Sequence, residues 1–211
     1  MISSTLKKWI GLPITCENPK SIFVGLIGGV GDLIAAAPSV AALKRKYPKA
    51  KLTFGVGDGI FFNTIKNDPN IDHFETPFSY NVWKKRGHRK AYREKYKEHD
   101  LVFLLDNGNR DWWKAQKHLL DIYAEKCEVT LEKRRPLIYL DDKDIQEAQN
   151  KLNELGISNN EKLMILSPET RSKKEIKEWP YDRFISLIER INQNYDFKII
   201  TFVSKENPYE Y

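Results

Sequence analysis

A short apolar run that ends in a glycine turn constrains the fold of this sequence more than any other feature. The run Ser21–Ile27 (SIFVGLI) does not alternate apolar and polar residues, which is typical of a strand buried on both faces of a parallel sheet. The turn GGVGD follows, and residues 33–47 are rich in alanine and leucine, with cations in the last turn, as at a helix C-terminus. A buried strand, a glycine turn and a helix in this order predict an α/β unit.

The same alternation continues along the chain and predicts a parallel sheet with helical crossovers. Further strands are predicted at 51–57, 71–76, 100–106, 162–166 and 197–203, and helices at 60–66, 111–126, 142–155 and 180–192. Residues 136–140 are predicted to be a short strand or an extended link. Pro38 predicts a kink or a restart in the first helix, and the continuously apolar strand 100–106 is predicted to lie centrally in the sheet.

The order of elements predicts two domains of unequal size. We predict an N-terminal extension at 1–20, a first α/β domain at 21–140, a connection at 141–160 and a partial second domain at 161–211. Two strands are fewer than the roughly 4 to 6 of a usual sheet. The second set of strands is therefore expected to join the first sheet or to begin a further domain.

The net charge of +6 comes from one segment of the chain. Residues 84–97 (KKRGHRKAYREKYK) hold eight Lys or Arg and one Glu, which predicts a local anionic contact rather than a nucleic-acid binder that is basic throughout. Trp83, Tyr92 and Tyr96 interleave with these cations, which suits a sugar-phosphate acceptor or an anionic membrane surface, the alternative being a solvated helix face. The candidate acceptor-binding residues are Lys84, Lys85, Arg86, Arg89 and Lys90.

The cysteines and the apolar stretches predict a reduced, cytoplasmic protein. Cys16 and Cys127 have no CxxC spacing and cannot form a disulfide framework or a four-thiolate zinc site. The apolar stretch at 9–16 is too short to span a membrane and lacks a convincing signal-peptide cleavage site. We expect neither a signal peptide nor a transmembrane helix.

The glycine turn is a candidate binding loop, because open α/β sheets bind ligands beyond the carboxyl ends of their strands. It does not match the dinucleotide fingerprint: if Gly29 and Gly31 are its first two glycines, Ile34 stands where the third belongs. No GK[ST] follows, which excludes a P-loop. Asp32 is expected at the helix start, where the helix dipole favours a carboxylate. The structural alternative is an N-cap aspartate in a tight turn.

A second candidate loop, SPETRSKKEIKEWP, lies between the strand at 162–166 and the helix at 180–192. It combines cationic and hydroxyl side chains, a set that suits a phosphate or diphosphate; its members are Arg171, Lys173, Lys174, Lys177, Ser167, Thr170 and Ser172. We expect this loop to face the glycine turn across a cleft. The alternative is a solvated loop, fixed by Trp179 and Pro180 at the helix start.

Together the two loops resemble the ADP-heptose:lipopolysaccharide heptosyltransferase family (glycosyltransferase family 9). IFVGLIGGVGDLIAAAPSVAALKRKYPKAKLTFGVG is similar to the opening of that family, and MILSPETRSKKEIKEWPYDRFISLI to the segment that opens its second domain. The resemblance implies two Rossmann-like domains of GT-B type, each a parallel sheet flanked by helices. Family members extend well beyond the equivalent of Val203, so the resemblance implies that the second domain is truncated here.

The resemblance also implies an activity and roles for individual residues. The activity is an inverting transfer, without a metal or other cofactor, of a sugar from a nucleotide sugar such as ADP-heptose to lipopolysaccharide or a related glycan. Asp32 matches the catalytic base, and Lys177 matches the lysine that stabilises the leaving diphosphate, with Thr170, Ser167 and Arg171 beside it.

The glycines of the turn fit the transferase, and two other functions are weighed against it. The bare backbone of Gly29 and Gly31 would let the sugar approach Asp32 closely. A catalytically incomplete glycan-binding homologue is the alternative to the transferase. A dehydrogenase is disfavoured by the missing third glycine.

Overall fold

The computed structural model describes residues 16–78, 94–106, 117–170 and 177–203. They divide into two compact units, Met1–Asp141 and Asp142–Tyr211. The helix at 142–154, which we assigned to the connection between domains, belongs to the second of these units. The basic residues 84–90 and Arg171 lie outside the described residues.

The first unit is built on a parallel sheet, which confirms the predicted α/β fold class. Its strands are β1 (Ser21–Ile27), β2 (Lys51–Gly55), β3 (His73–Glu75) and β4 (Leu101–Asp106), in the order β3-β2-β1-β4. Strand β1 pairs in parallel with both β2 and β4. The predicted central position of 100–106 is wrong for the sheet that these residues form, because β4 lies at its edge. Val102, Phe103 and Leu104 are accordingly only half-buried.

One face of this sheet packs against helices. The unit contains α1 (Val30–Lys46), α2 (Ile60–Ile65) and α3 (Leu119–Lys126). Side chains of β1 that point to this face, such as Val24 and Leu26, form one core cluster with Leu33 of α1 and Tyr123 of α3. Because β1 is buried on both sides, its apolar run needs no polar alternation.

Helix α1 is continuous through Pro38, so the predicted restart at this residue is wrong. Proline has no N–H and leaves the carbonyl of the residue four positions earlier, Ile34, without its helical donor. Here the backbone N–H of Leu137 donates to the Ile34 carbonyl at 3.1 Å. The 136–140 segment is extended but forms no strand, and through Leu137 it supplies the donor that Pro38 cannot give to Ile34.

The other face of the sheet carries an aromatic cluster of Phe23, Phe78 and Tyr96. Paired glycines in β1 and β2 make room for it, because a Cβ on Gly25 would lie 2.6 Å from Phe78 and one on Gly55 2.7 Å from the same ring. The rings of Phe23 and Tyr96 stack with centroids 3.8 Å apart. These glycines are therefore required by packing rather than by a turn.

The second unit contains α4 (Asp142–Glu154), β5 (Leu163–Leu166), α5 (Tyr181–Asn194) and β6 (Lys198–Thr201). Strands β5 and β6 pair in parallel as a two-stranded sheet. Pro180 caps the start of α5, and the ring of Trp179 packs edge-on against Phe184 at 5.3 Å between centroids. Ile165 of β5 remains 61% exposed within the described part of the chain.

Candidate functional site

The Asp32 side chain lies just beyond the carboxyl end of β1, in the first turn of α1. Helix α1 begins at Val30, so Gly29 is the N-cap and Asp32 the third helical residue. The Asp32 Oδ2 accepts a 2.6 Å hydrogen bond from the Gly29 N–H. Asp32 thus satisfies a free N–H at the helix start without being the N-cap residue, and its carboxylate lies where open α/β sheets bind ligands.

Gly28 gives the Asp32 carboxylate its space. A Cβ on Gly28 would lie 2.5 Å from the Asp32 Cβ and 2.6 Å from its Cγ. A Cβ on Gly31 would meet no atom of the described residues within 4 Å, apart from its own stretch of helix backbone. Gly29 is intermediate, with 3.6 Å to the Asp32 Oδ2. Sequence reasoning singled out Gly29 and Gly31, but Gly28 is the position of this turn at which a side chain would collide with the carboxylate.

Tyr123 supplies the second fixed contact of Asp32. Its hydroxyl donates to the Asp32 Oδ1 at 2.9 Å, and its side chain is 0% exposed. Among the described residues, each carboxylate oxygen therefore has one protein donor and keeps further lone-pair capacity. The sequence gives no local signal for this contact, because Tyr123 and Asp32 lie 91 positions apart along the chain.

Polar contacts fix the N-terminal end of α3, the helix that carries Tyr123. At its start, the His118 Nδ1 accepts from the Leu120 N–H at 3.2 Å. Asp121 forms a two-pronged pair with Arg134, in which Nε lies 2.9 Å from Oδ1 and Nη2 2.5 Å from Oδ2. The hydrogen bonds from Arg134 lower the pKa of Asp121. These contacts hold the position of Tyr123 from outside the core.

A second polar cluster lies at the carboxyl end of β3. The Glu75 Oε1 accepts from the Tyr96 hydroxyl and from the Lys95 Nζ, the latter at 3.0 Å. Burial, followed by the hydrogen bond to Glu75, raises the pKa of Tyr96 to about 12. The hydrogen bonds to Tyr96 and Glu75 raise the pKa of Lys95. The described end of the basic segment is thereby attached to the sheet.

In the second unit, the candidate loop follows β5 as predicted. Thr170 is half-buried, and its N–H donates to the Glu178 Oε1 at 2.8 Å. This bond joins the two described ends of the loop, so that Thr170 lies near the residue that follows Lys177. Ser167 and Lys177 are exposed. The predicted cleft between this loop and the glycine turn stays a prediction.

The part of the chain that the structure describes contains neither a cluster of metal-ligating side chains nor a membrane-spanning helix. Within 16–78, 94–106, 117–170 and 177–203, no group of three or more His, Cys, Asp or Glu side chains converges as a metal site. No helix in the same ranges combines the length and apolarity needed to cross a membrane. Both cysteines are free thiols, and burial raises the pKa of Cys127 to about 12.

The fold is similar to that of solved glycosyltransferases. A glycosyl transferase family 9 structure from Veillonella parvula DSM 2008 gives a TM-score of 0.67 at 17% identity, over 90% of this chain and 64% of that chain. ADP-heptose LPS heptosyltransferase II of E. coli gives a TM-score of 0.55 at 14% identity, over 88% of this chain and 65% of that chain. The dodecameric iron-containing heptosyltransferase TibC, from enterotoxigenic E. coli H10407 and solved with ADP-D-beta-D-heptose, gives 0.51 at 12% identity, over 90% and 45%.

At these identities the likeness shows a shared fold. This chain spans 64% and 65% of the first two structures. No family model matches the sequence, and a comparison with curated proteins gives no significant match.

Proposed function

We propose that this chain belongs to a glycosyltransferase that moves a sugar from a nucleotide sugar to an acceptor hydroxyl, with Asp32 as the general base. The observation that carries the proposal is the Asp32 carboxylate, held at the carboxyl end of β1 by the Gly29 N–H and the Tyr123 hydroxyl. A fold shared with solved glycosyltransferases supports the same reaction class. The sequence resemblance independently assigns the base to this residue.

The proposed step is a direct displacement with inversion at the anomeric carbon. The acceptor O–H gives its proton to an Asp32 oxygen while the acceptor oxygen forms a bond to the anomeric carbon. The bond from that carbon to the diphosphate oxygen breaks, and the diphosphate leaves with the electron pair. A base in this role must come within about 3 Å of the acceptor hydroxyl.

The second unit is proposed to bind the donor. Lys177 would stabilise the negative charge that develops on the diphosphate, and Ser167, Thr170 and Arg171 would add donors beside it. The hydrogen bond between Thr170 and Glu178 supports this assignment, because it keeps the hydroxyl-bearing end of the loop close to Lys177. ADP-heptose is the donor that we propose to test first, since the structural neighbour TibC was solved with it.

The acceptor is proposed to be an anionic glycolipid or glycan. The +7 segment at 84–97, with Lys84, Lys85, Arg86, Arg89 and Lys90, would attract its phosphate groups or the anionic inner face of the cytoplasmic membrane. The contact of Lys95 and Tyr96 with Glu75 supports this placement, because it ties one end of the segment to the carboxyl edge of β3.

The test is sugar transfer from ADP-heptose to a lipid A-core acceptor, measured for the unsubstituted chain and for Asp32→Asn. We expect Asp32→Asn to lower kcat by at least about a hundredfold, because general base catalysis typically contributes about 10²- to 10⁴-fold. The matched control is Asp58→Asn, which removes an exposed carboxylate after the neighbouring strand β2. Transfer that survives in Asp32→Asn would contradict the assignment of the base. Glycan binding without any transfer would instead favour the catalytically incomplete homologue.

A further inference from the structure

We infer that Tyr123 is a positioning residue, whose hydroxyl fixes the Asp32 carboxylate in the orientation that proton transfer requires. The inference rests on the proposed function of Asp32 as a base. It concerns a residue on a different helix, 91 positions along the chain, that sequence reasoning did not connect with the site.

The position of the Tyr123 hydroxyl is set by the core of the first unit. The side chain is fully buried and belongs to the same core cluster as Leu33 of α1 and Leu105 of β4. Closely packed interiors allow little rearrangement of a ring of this size. The hydroxyl therefore presents its hydrogen to the Asp32 Oδ1 from a fixed point, at 2.9 Å.

The carboxylate needs this second contact because its own helix supplies only one. The final torsion of an aspartate side chain is broad and roughly two-fold, so one hydrogen bond to the Gly29 N–H leaves the carboxylate plane free to tilt. A second donor on the other oxygen fixes that plane. The hydrogen bond is also strengthened by the charge of the carboxylate.

The kinetic test compares Tyr123→Phe with Tyr139→Phe in the same transfer assay. Tyr123→Phe removes only the hydroxyl and keeps the buried ring. Tyr139→Phe removes a hydroxyl of the same unit that accepts from the Asn70 Nδ2 at 3.1 Å. We expect Tyr123→Phe to lower kcat about tenfold or more and to leave KM for the donor unchanged. The control is expected to stay within about twofold of the unsubstituted chain in both constants. A Tyr123→Phe variant that keeps its kcat would overturn the inference.

A second measurement does not depend on activity. Urea unfolding of the unsubstituted chain, Asp32→Ala, Tyr123→Phe and the double variant gives a double-mutant cycle. The contact between Asp32 and the Gly29 N–H is lost whether or not Tyr123 is replaced, so it cancels from the coupling. Each substitution raises the equilibrium constant of unfolding. We expect the rise in the double variant to be at least about fivefold smaller than the product of the rises in the two single variants. If the losses of unfolding free energy in the two single variants simply add, the inference about Tyr123 is overturned but the proposed function is not. Absence of transfer by the unsubstituted chain would instead overturn the proposed function, and the unfolding cycle would still report whether the two side chains are coupled.

Discussion

The Asp32 carboxylate occupies the space that a side chain on Gly28 would fill. We predict that Gly28→Ala lowers the free energy of unfolding by about 1 to 3 kcal/mol, the usual cost of overpacking. The reason is the 2.5 Å separation between the added Cβ and the Asp32 Cβ, which forces the aspartate or the turn to move. The same displacement is expected to reduce sugar transfer, because the carboxylate would lose its bond to the Gly29 N–H.

Gly31→Ala is the matched control for this prediction. It adds the same methyl group three residues later, inside the first turn of α1, where the part of the chain that the structure describes places no atom within 4 Å beyond the adjacent helix backbone. Alanine favours a helix over glycine, so this variant is expected to be as stable as the unsubstituted chain or up to about 1 kcal/mol more stable. Urea denaturation of the variants measures the difference. Equal stability of Gly28→Ala and Gly31→Ala would contradict our account of the turn.

Single residues of the candidate site differ in how far the sequence could predict them. Asp32 was predicted because a carboxylate at a helix start after a glycine turn is a local pattern. Tyr123 was not, since its hydroxyl reaches Asp32 only after α3 has packed on α1. The sequence pattern pointed to Gly29 and Gly31 rather than to Gly28. A pattern of glycines shows where side chains are missing, but not at which of these positions an added side chain would collide with Asp32.

At the scale of elements, α1 depends on a donor from a distant segment. The Ile34 carbonyl, freed by Pro38, accepts from the Leu137 N–H at 3.1 Å. We predict that Leu137→Pro, which removes this donor, lowers the free energy of unfolding by about 1 to 3 kcal/mol more than Leu137→Ala, because the half-buried Ile34 is left with a carbonyl that has lost its donor. The alanine variant accounts for the loss of the side chain. Both are measured by urea denaturation.

The same comparison in a Pro38→Ala background makes the prediction specific. Alanine at position 38 restores an N–H that can bond to Ile34 within the helix. The difference between Leu137→Pro and Leu137→Ala should then shrink, although the conformational restriction of the new proline is unchanged. An equally large difference in both backgrounds would show that the Leu137 N–H does not act through Ile34.

Elements were predictable where their signals are local. The bounds of β1 agree with the apolar run, and α4 and α5 lie within a few residues of their predicted ranges. The order of the strands was not predictable from the sequence. The continuously apolar sequence of β4 is typical of a central strand, whereas β4 lies at the edge of the described sheet. A kink or a restart of α1 at Pro38 was predicted from a local rule, which takes no account of a remote donor such as the Leu137 N–H that bonds to the Ile34 carbonyl.

At the scale of the whole molecule, the two candidate loops belong to different units. The glycine turn and Asp32 lie in Met1–Asp141, and the loop with Ser167, Thr170 and Lys177 lies in Asp142–Tyr211. The sequence could predict both loops, because each follows a strand and precedes a helix. It could not predict the distance between them, since no local pattern encodes how two domains pack.

This division predicts that donor binding and transfer are separable. Lys177→Ala should weaken binding of ADP-heptose about tenfold or more, because an ammonium group near the diphosphate contributes a charge-assisted contact. Asp32→Asn should leave that affinity within about twofold, since the base acts on the acceptor hydroxyl and not on the nucleotide. Isothermal titration calorimetry with ADP-heptose measures both affinities without any turnover in the absence of acceptor.

Lys162→Ala is the matched control for the lysine. Lys162 is exposed and precedes β5, so it lies at the end of that strand opposite to Ser167. Its loss changes the net charge by the same amount but removes no cation from the candidate loop. If Lys162→Ala weakens binding as much as Lys177→Ala, the effect is one of overall charge. If Asp32→Asn weakens donor binding instead, the glycine turn rather than the loop after β5 contacts the diphosphate, and the roles proposed for the two units are reversed.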